Sequence, residues 1–435
     1  MKKYDTYIDS GIEWIGEIPS IKNLLRNKYF LKYIKGKNPE KLNSEGDGIP
    51  YVGASELDNL TGMVNYENYT EQLELPQCTN SNVLVLWDGA RAGLIGKNHC
   101  GAISSTVVKL EPDFNNINEN YLFYYLKGFE KFLYDKVNGT TIPHMNRDYI
   151  EEIKWIDFTI DEQQIIADYL DKKCGEIDKV VEAEKSVIEK LKEYKQSIIT
   201  EAVTKGLDKS VPLKDSGIEW IGKIPQHWEV SKLKHYIKSI ESGVSVNASD
   251  IPIKSENDIG ILKTSCVSSF KFLIEENKEV NYDEYERVCC PVRANTLIVS
   301  RMNTPELVGA CGYSAIDVNN IYLPDRLWQV FIEDKIIHVK YAYYYIICTF
   351  VRDYISSLST GTSSSMQNIS QGQFSSIYIP VSSLSEQQQI AEYLDKKCSE
   401  IDKAIADKEQ LIEKFTEYKK SLIYECVTGK RKVVA

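Results

Sequence analysis

Asp325, Glu333 and Lys335 are the residues of this sequence that come nearest to a catalytic pattern. Pro324-Asp325, followed by Glu333-Asp334-Lys335, imitates the acid–acid–lysine cluster of magnesium nucleases, and such a cluster must converge on one metal. RLWQVFI separates the two parts and reads as one continuous strand. At ~3.3 Å per residue that strand would hold Asp325 and Glu333 more than ~25 Å apart, so a strand with polar ends is the better reading. GLIGK at 93–97 is a second decoy: Arg91 stands where a phosphate-binding loop needs its first glycine, and Asn98 where it needs the magnesium-binding hydroxyl. His99, His144, His227, His235 and His338 show no HExxH or paired spacing, and the ten cysteines form no CxxC pair, so no metal site is expected. A GxSxG elbow, a dinucleotide fingerprint and a Pro-Pro-aromatic methyltransferase signature are also missing. Neither catalysis nor a cofactor is expected of this chain.

Binding chemistry is more visible. The 435 residues carry a formal net charge of -11, which by itself opposes contact with phosphate. Between positions 21 and 41, however, Lys22, Arg26, Lys28, Lys32, Lys35, Lys37 and Lys41 face the single acid Glu40. A basic stripe on an acidic average fits DNA on one face, and it also fits plain solvated surface. Lys232, Lys234, His235 and Lys238 form a weaker counterpart.

The elements that must position these groups are written twice. DSGIEWIGEIP at 9–19 returns as DSGIEWIGKIP at 215–225, and EQQIIADYLDKKCGEIDK at 162–179 returns as EQQQIAEYLDKKCSEIDK at 386–403. Two domain-sized copies make a pseudo-dimer in one chain, not a solenoid. The variable blocks, about 12–159 and 218–383, share a skeleton: strand runs VLVL at 83–86 and TLIV at 296–299, LIG at 94–96 and LVG at 307–309, aromatic helical stretches at 121–134 and 341–354, then GTT at 139–141 and GTS at 361–363. Asn146 and Ser370 are suited to cap short helices at 147–153 and 371–376. Long amphipathic helices follow each block. Their apolar positions alternate by four and three residues, through Ile166, Leu170, Lys173, Ile177, Val180, Glu184, Val187, Leu191, Tyr194 and Ile198, and through Ile390, Leu394, Lys397, Ile401, Ala404, Lys408, Leu411, Phe415, Tyr418 and Leu422, as in a coiled coil. About 40 residues would make a rod of roughly 60 Å. The composition, 43% hydrophobic and 26% charged, is globular. The run YAYYYIICTFV at 341–351 is well short of the ~20 residues that cross a bilayer. MKKYDTYIDS at the start has no apolar segment of a secretory signal, so reduced thiols in the cytoplasm are the expectation.

The doubled DSGIEWIG(E/K)IP, GTTIPHMN at 139–146 and the doubled EQQxIAxYLDKK, in this order, resemble the DNA-specificity subunit of type I restriction–modification enzymes over nearly the whole chain. The resemblance implies an α+β chain with two pseudo-repeated mixed α/β target-recognition domains, at 1–159 and 209–383. Two long antiparallel coiled-coil helices would join them, at 160–208 and 384–430, with 431–435 as a tail. It implies that each domain reads one half of a bipartite site in double-stranded DNA, and that the chain is a non-catalytic scaffold. Two adenine-N6 methyltransferase subunits would supply S-adenosylmethionine chemistry, and restriction subunits would use ATP and magnesium. The second GTT-type segment departs from the pattern. It reads GTSSSM and lacks Ile142, Pro143 and His144, so a contact made by His144 does not carry over. A coiled-coil scaffold that touches only protein is the alternative reading.

Arg and Lys reach guanine, and Asn and Gln reach adenine, in the major groove. On that basis the candidate base readers are Arg91, His144, Asn146 and Arg147 in the first half, and Arg301, Asn303, Arg326 and Gln371 in the second. If the helices pair antiparallel, one register sets Leu170 against Leu422, Ile177 against Phe415, Leu191 against Ile401 and Ile198 against Leu394. It also sets Glu184 opposite Lys408, Lys173 beside Tyr418 and Lys397 beside Tyr194.

Overall fold

The computed structural model describes residues 3–26, 30–57, 66–112, 116–137, 143–255, 257–363 and 366–434. It divides into two compact units, Met1–Ser186 with Lys408–Ala435, and Val187–Asp407. Each unit therefore takes a stretch of both long helices into its own core, and the helices do not make a separate unit.

In the first unit a four-stranded sheet runs in the order Leu31–Lys35, Val107–Pro112, Val83–Leu86, Ile95–Gly96, and a second runs Tyr69–Thr70, Ile49–Val52, Gly101–Ile103, Gln77–Cys78. The second unit repeats both orders: Ile237–Ser242, Leu327–Ile332, Thr296–Ser300, Cys311–Ser314, and Asn277–Glu279, Gly260–Leu262, Val318–Tyr322, Pro291–Val292. Val83–Leu86 is buried along its whole length, as an unbroken β-branched and Leu run requires when both faces are covered. Leu327–Ile332 is a strand and separates Asp325 from Glu333. Among the described residues no group of His, Cys, Asp or Glu is placed to hold a metal ion.

Register corrects the sequence alignment. Leu84 pairs with Gly96 and Val85 with Ile95, whereas Ile298 pairs with Gly312 and Val299 with Cys311. Strand 83–86 thus corresponds to 297–300, not 296–299, and the LIG/LVG match falls on non-equivalent positions. A one-residue slip exchanges the two faces of a strand, and short β-branched runs look alike in either phase. The aromatic stretches are also not single helices. They fold as Glu119–Gly128 and Glu130–Val137, and as Val339–Ile346 and Thr349–Leu358, burying Tyr121 and Tyr125 in one unit and Tyr341 and Tyr345 in the other.

The long helices span Ile160–Lys205 and Leu384–Val427. Thr159 and Glu162 start the first as a reciprocal cap, Thr159 N–H donating to Glu162 Oε2 (2.8 Å) and Glu162 N–H to Thr159 Oγ1 (3.3 Å). Gly206 and Gly429, both at φ +72°, end the two helices in the left-handed conformation that glycine adopts without a Cβ penalty. Each glycine lies on the proline of a repeated hairpin, Gly206 on Pro225 and Gly429 on Pro19. These hairpins are Leu213–Asp215 with Lys223–Pro225, and Tyr7–Asp9 with Glu17–Pro19. Their tryptophans stack on the domains: Trp14 on Phe132 (4.5 Å) and Trp220 on Tyr354 (4.6 Å).

Within the first unit Asp178 pairs with Lys419 and Glu184 with Lys408, both at 2.6 Å. Partner numbers fall as the first helix advances, so the two helices run antiparallel here. In the second unit Lys195 meets Asp402 at 2.7 Å. Leu170, Ile177 and Leu422 are buried in one core, Ile198, Leu394 and Ile401 in the other. The expected seam needs correction at alternate positions. Val180, Val187, Tyr194, Leu411 and Tyr418 are exposed. Lys173 does lie within electrostatic reach of Tyr418, and Lys397 of Tyr194, as the register sets them, with their heads paired to Glu176 (2.7 Å) and Glu400 (2.9 Å). Cys174 and Val181, and in the second unit Cys398 and Ile405, complete the buried stripes instead. Each helix stretch faces its recognition core as well as its partner helix, and that wider contact follows the 3.6-residue period of a globular helix. No described helix is long and apolar enough to cross a membrane.

Candidate nucleic-acid interface

In the first unit the sequence-selected residues gather at the end of strand Val83–Leu86. The segment 143–146 is tied there by backbone bonds: Met145 N–H donates to Trp87 O (2.7 Å) and Gly89 N–H to Pro143 O (3.2 Å). Asp88 and His144 form an antiparallel bridge, and the His144 Nδ1 contacts Asp88 Oδ1. Lys35, from strand Leu31–Lys35, pairs with Asp88 Oδ2 at 3.3 Å. The His144 ring sits edge-on to Trp87, with centroids 6.5 Å apart. Asn146 caps helix Arg147–Glu152 by accepting from Asp148 N–H (3.0 Å). Arg147 lies over the Tyr33 ring (4.7 Å) and pairs with Glu151 (2.5 Å). Lys35, His144, Asn146 and Arg147 are all exposed, so one surface offers cations, an imidazole and an amide.

Other candidates lie elsewhere. Lys22 is 8% exposed, donates to Glu162 Oε2 (2.5 Å) and lies 4.9 Å over the Phe158 ring. It is therefore a core cation, committed to the start of the central helix, and not part of a surface stripe. Arg91 is exposed and donates to Ala54 O (3.1 Å). Arg26 is exposed in the short strand Leu24–Arg26, and Lys32 is exposed opposite Glu111. Lys28 lies outside the described residues.

In the second unit the equivalent tie is Ile369 N–H to Arg301 O (3.0 Å), so Arg301 occupies the place of Trp87. Met302 then pairs with Asn368 where Asp88 pairs with His144. A three-stranded sheet of Met302–Asn303, Met366–Asn368 and Thr360–Ser363 extends this edge. The Arg301 Nε and Asn368 Oδ1 are buried and have no hydrogen-bond partner among the described residues. Asn303 is turned inward on its own loop: its amide donates to Ser300 Oγ (3.3 Å) and its Oδ1 accepts from Thr304 N–H (2.9 Å). Arg326 is exposed beside Arg301, whose backbone N–H donates to Arg326 O (3.0 Å). Gln371 is exposed in the first turn of helix Gln371–Ser375, behind a full Ser370/Gln373 capping box. Lys232 lies 5.2 Å over the Tyr378 ring, and Lys234 is exposed.

Sequence reasoning missed the residues that hold these surfaces. Asp88 carries no signal of its own. Asp171 and Asp395 accept from the phenols of Tyr124 and Tyr344, both at 2.7 Å, and burial raises both phenols well above their ordinary range. Asp402 takes Lys195 and Lys271 together, each at 2.7 Å. Burial would raise its carboxyl, but hydrogen bonds from the two lysines outweigh that and hold it below the ordinary carboxylate range. The signal for these acids was present, since EIDK and YLDKK recur in both copies.

Residues 24–193 and 225–414 each match the type I restriction modification DNA specificity domain. The chain belongs to the type I restriction–modification DNA specificity family. It is 30% identical over 420 residues, 96% of this chain and 94% of the relative, to the type I restriction enzyme MjaVIII specificity subunit of Methanocaldococcus jannaschii. It is 26% identical over 219 residues, 48% of this chain and 44% of the relative, to the StySPI specificity subunit of Salmonella potsdam. A solved chain from work on complex assembly and conformational transition of the type I R-M system aligns over 94% of this chain and 98% of its own, with TM-score 0.68 at 13% identity, a likeness of fold. Each specificity domain thus runs from its recognition strands into the helix that follows it. The architecture is α+β, with two pseudo-repeated domains and two long helices that pack antiparallel.

Proposed function

We propose that each unit reads one half of a bipartite site in double-stranded DNA, in the cytoplasm, and that the chain itself catalyses nothing. The observation that carries this reading is that both units build the same strand order and the same bridged edge, yet present different polar groups there: Lys35, Asp88, His144 and Arg147 in one, Arg301, Arg326, Asn368 and Gln371 in the other. Two readers on one scaffold suit a target of two unlike halves. Exposed Val180, Leu411 and Tyr418 in the first unit, and exposed Val187 and Tyr194 in the second, continue the heptad spacing on the open face of the helices. Apolar residues at that spacing suit further helices, and this supports docking of two methyltransferase subunits there, with the long helices setting the distance between half-sites. S-adenosylmethionine would then belong to the methyltransferase partner, and ATP and magnesium to restriction subunits. A scaffold that touches only protein is disfavoured by the two DNA specificity domain matches.

Selection from random duplex pools, using the chain with its methyltransferase partner, tests the proposal. A split motif with a fixed spacer is the expected result. Retention of DNA without sequence enrichment would refute it.

A further inference from the structure

We propose that Asp88 decides what His144 reads, and that it is a positioning residue for base recognition. This rests on the reading of the first unit as a DNA reader. A carboxylate only accepts hydrogen bonds, so the Nδ1 that touches Asp88 Oδ1 must carry the proton. The neutral imidazole then has Nε2 as an acceptor, because the partner of one ring nitrogen fixes the role of the other. The His144 side chain is 54% exposed, and Nε2 has no hydrogen bond among the described residues.

Asp88 is held so that it keeps this role. Its second oxygen faces Lys35 Nζ at 3.3 Å, and its backbone is bridged to His144 itself. The flanking bonds from Met145 to Trp87 and from Gly89 to Pro143 fix the segment on both sides. The neighbouring cation, Arg147, is occupied by Glu151 and Tyr33. The neutral form of His144 therefore presents an oriented acceptor to the groove. Its partner is an exocyclic amino group, adenine N6 or cytosine N4, since these are the donors on the major-groove edge. The second unit has Met302 and Asn368 at the bridged positions, so it has no counterpart of this device.

Asp88→Asn is the decisive variant. Its amide can donate to Nδ1 and move the ring proton to Nε2, which turns the outward acceptor into a donor suited to guanine O6 or N7 or thymine O4. Base preferences of the chain with its methyltransferase partner are read by pool selection at pH 8.5. The wild type should favour an amine-bearing base at one position of one half-site by about tenfold. Asp88→Asn should reverse that preference, and Asp88→Ala and His144→Ala should flatten it, with the other half-site unchanged. Unfolding temperatures of the exposed-site variants show whether each is folded, and His144→Ala leaves the Asp88 framework in place. Unchanged preferences in all three, with a split motif still selected, would overturn the inference and leave the proposed function standing. Loss of the split motif in the wild type itself would overturn both.

Discussion

The two units differ most where they face outward and least where they face the helices. The bridged pair is Asp88–His144 in one and Met302–Asn368 in the other. The inward pairs recur: Tyr124–Asp171 with Tyr344–Asp395, and Asp178–Lys419 with Lys195–Asp402. An inward polar group needs its partners in place at once, because an unpaired buried group costs about 1–3 kcal/mol. An outward group can change alone. One inward socket departs from this rule. After the repeated hairpin, Lys22 of the first unit donates to Glu162, and the matching Trp228 of the second donates its indole N–H to Glu386 at 3.1 Å. Both satisfy the first-turn glutamate, one with charge and one with a buried ring.

That socket gives the largest expected effect. Trp228→Ala removes a fully buried indole and should lower stability by about 3–5 kcal/mol. Lys22→Ala should cost less, about 1–3 kcal/mol, because Glu162 loses its cation but keeps the Thr159 N–H and partial contact with water. Thermal unfolding of the two variants ranks them. A larger loss for Lys22→Ala would mean that the two sockets are not equivalent.

The helix pair comes next. Glu184 and Lys408 are partly buried, with 21% and 30% of their side chains exposed. Glu184→Lys should cost about 1–2 kcal/mol, between a surface pair and a buried one, and Glu184→Lys with Lys408→Glu should recover most of it. A double variant that melts no higher than the worse single one would contradict the register.

The smallest effect concerns acid. The depressed Asp402 carboxyl stabilises the fold above its unfolded value of about 3.9, and that contribution is lost as pH falls through its lower folded value. Asp402→Asn should therefore lower the melting temperature at pH 7 but match the wild type once the carboxyl is protonated, well below pH 4. A constant difference at every pH would assign the loss to packing instead of charge.

The sequence announced the repeat, two long helices and the short caps at Asn146 and Ser370, because each follows from order or spacing along the chain, and the facing of Glu184 and Lys408 follows once the two seams are set antiparallel. It did not announce that Lys22 is buried, since a cation over Phe158 is set by tertiary packing and a charge run reads as surface. Asp88 was equally silent: its meaning depends on Lys35 and His144, which arrive from distant parts of the chain. The shift of strand 297–300 and the outward turn of Val180, Val187 and Tyr194 have one cause. Short periodic patterns leave the phase open, and the packing partners choose it.

If the two units read DNA independently, exchange of the variable block 218–383 for that of a related specificity subunit replaces one half-site alone. Adenine-methylation motifs are then mapped in cells that carry the hybrid chain with its methyltransferase partner. A motif with one half replaced and the other half identical to the parent's is the expected result. A motif in which both halves change together would contradict it.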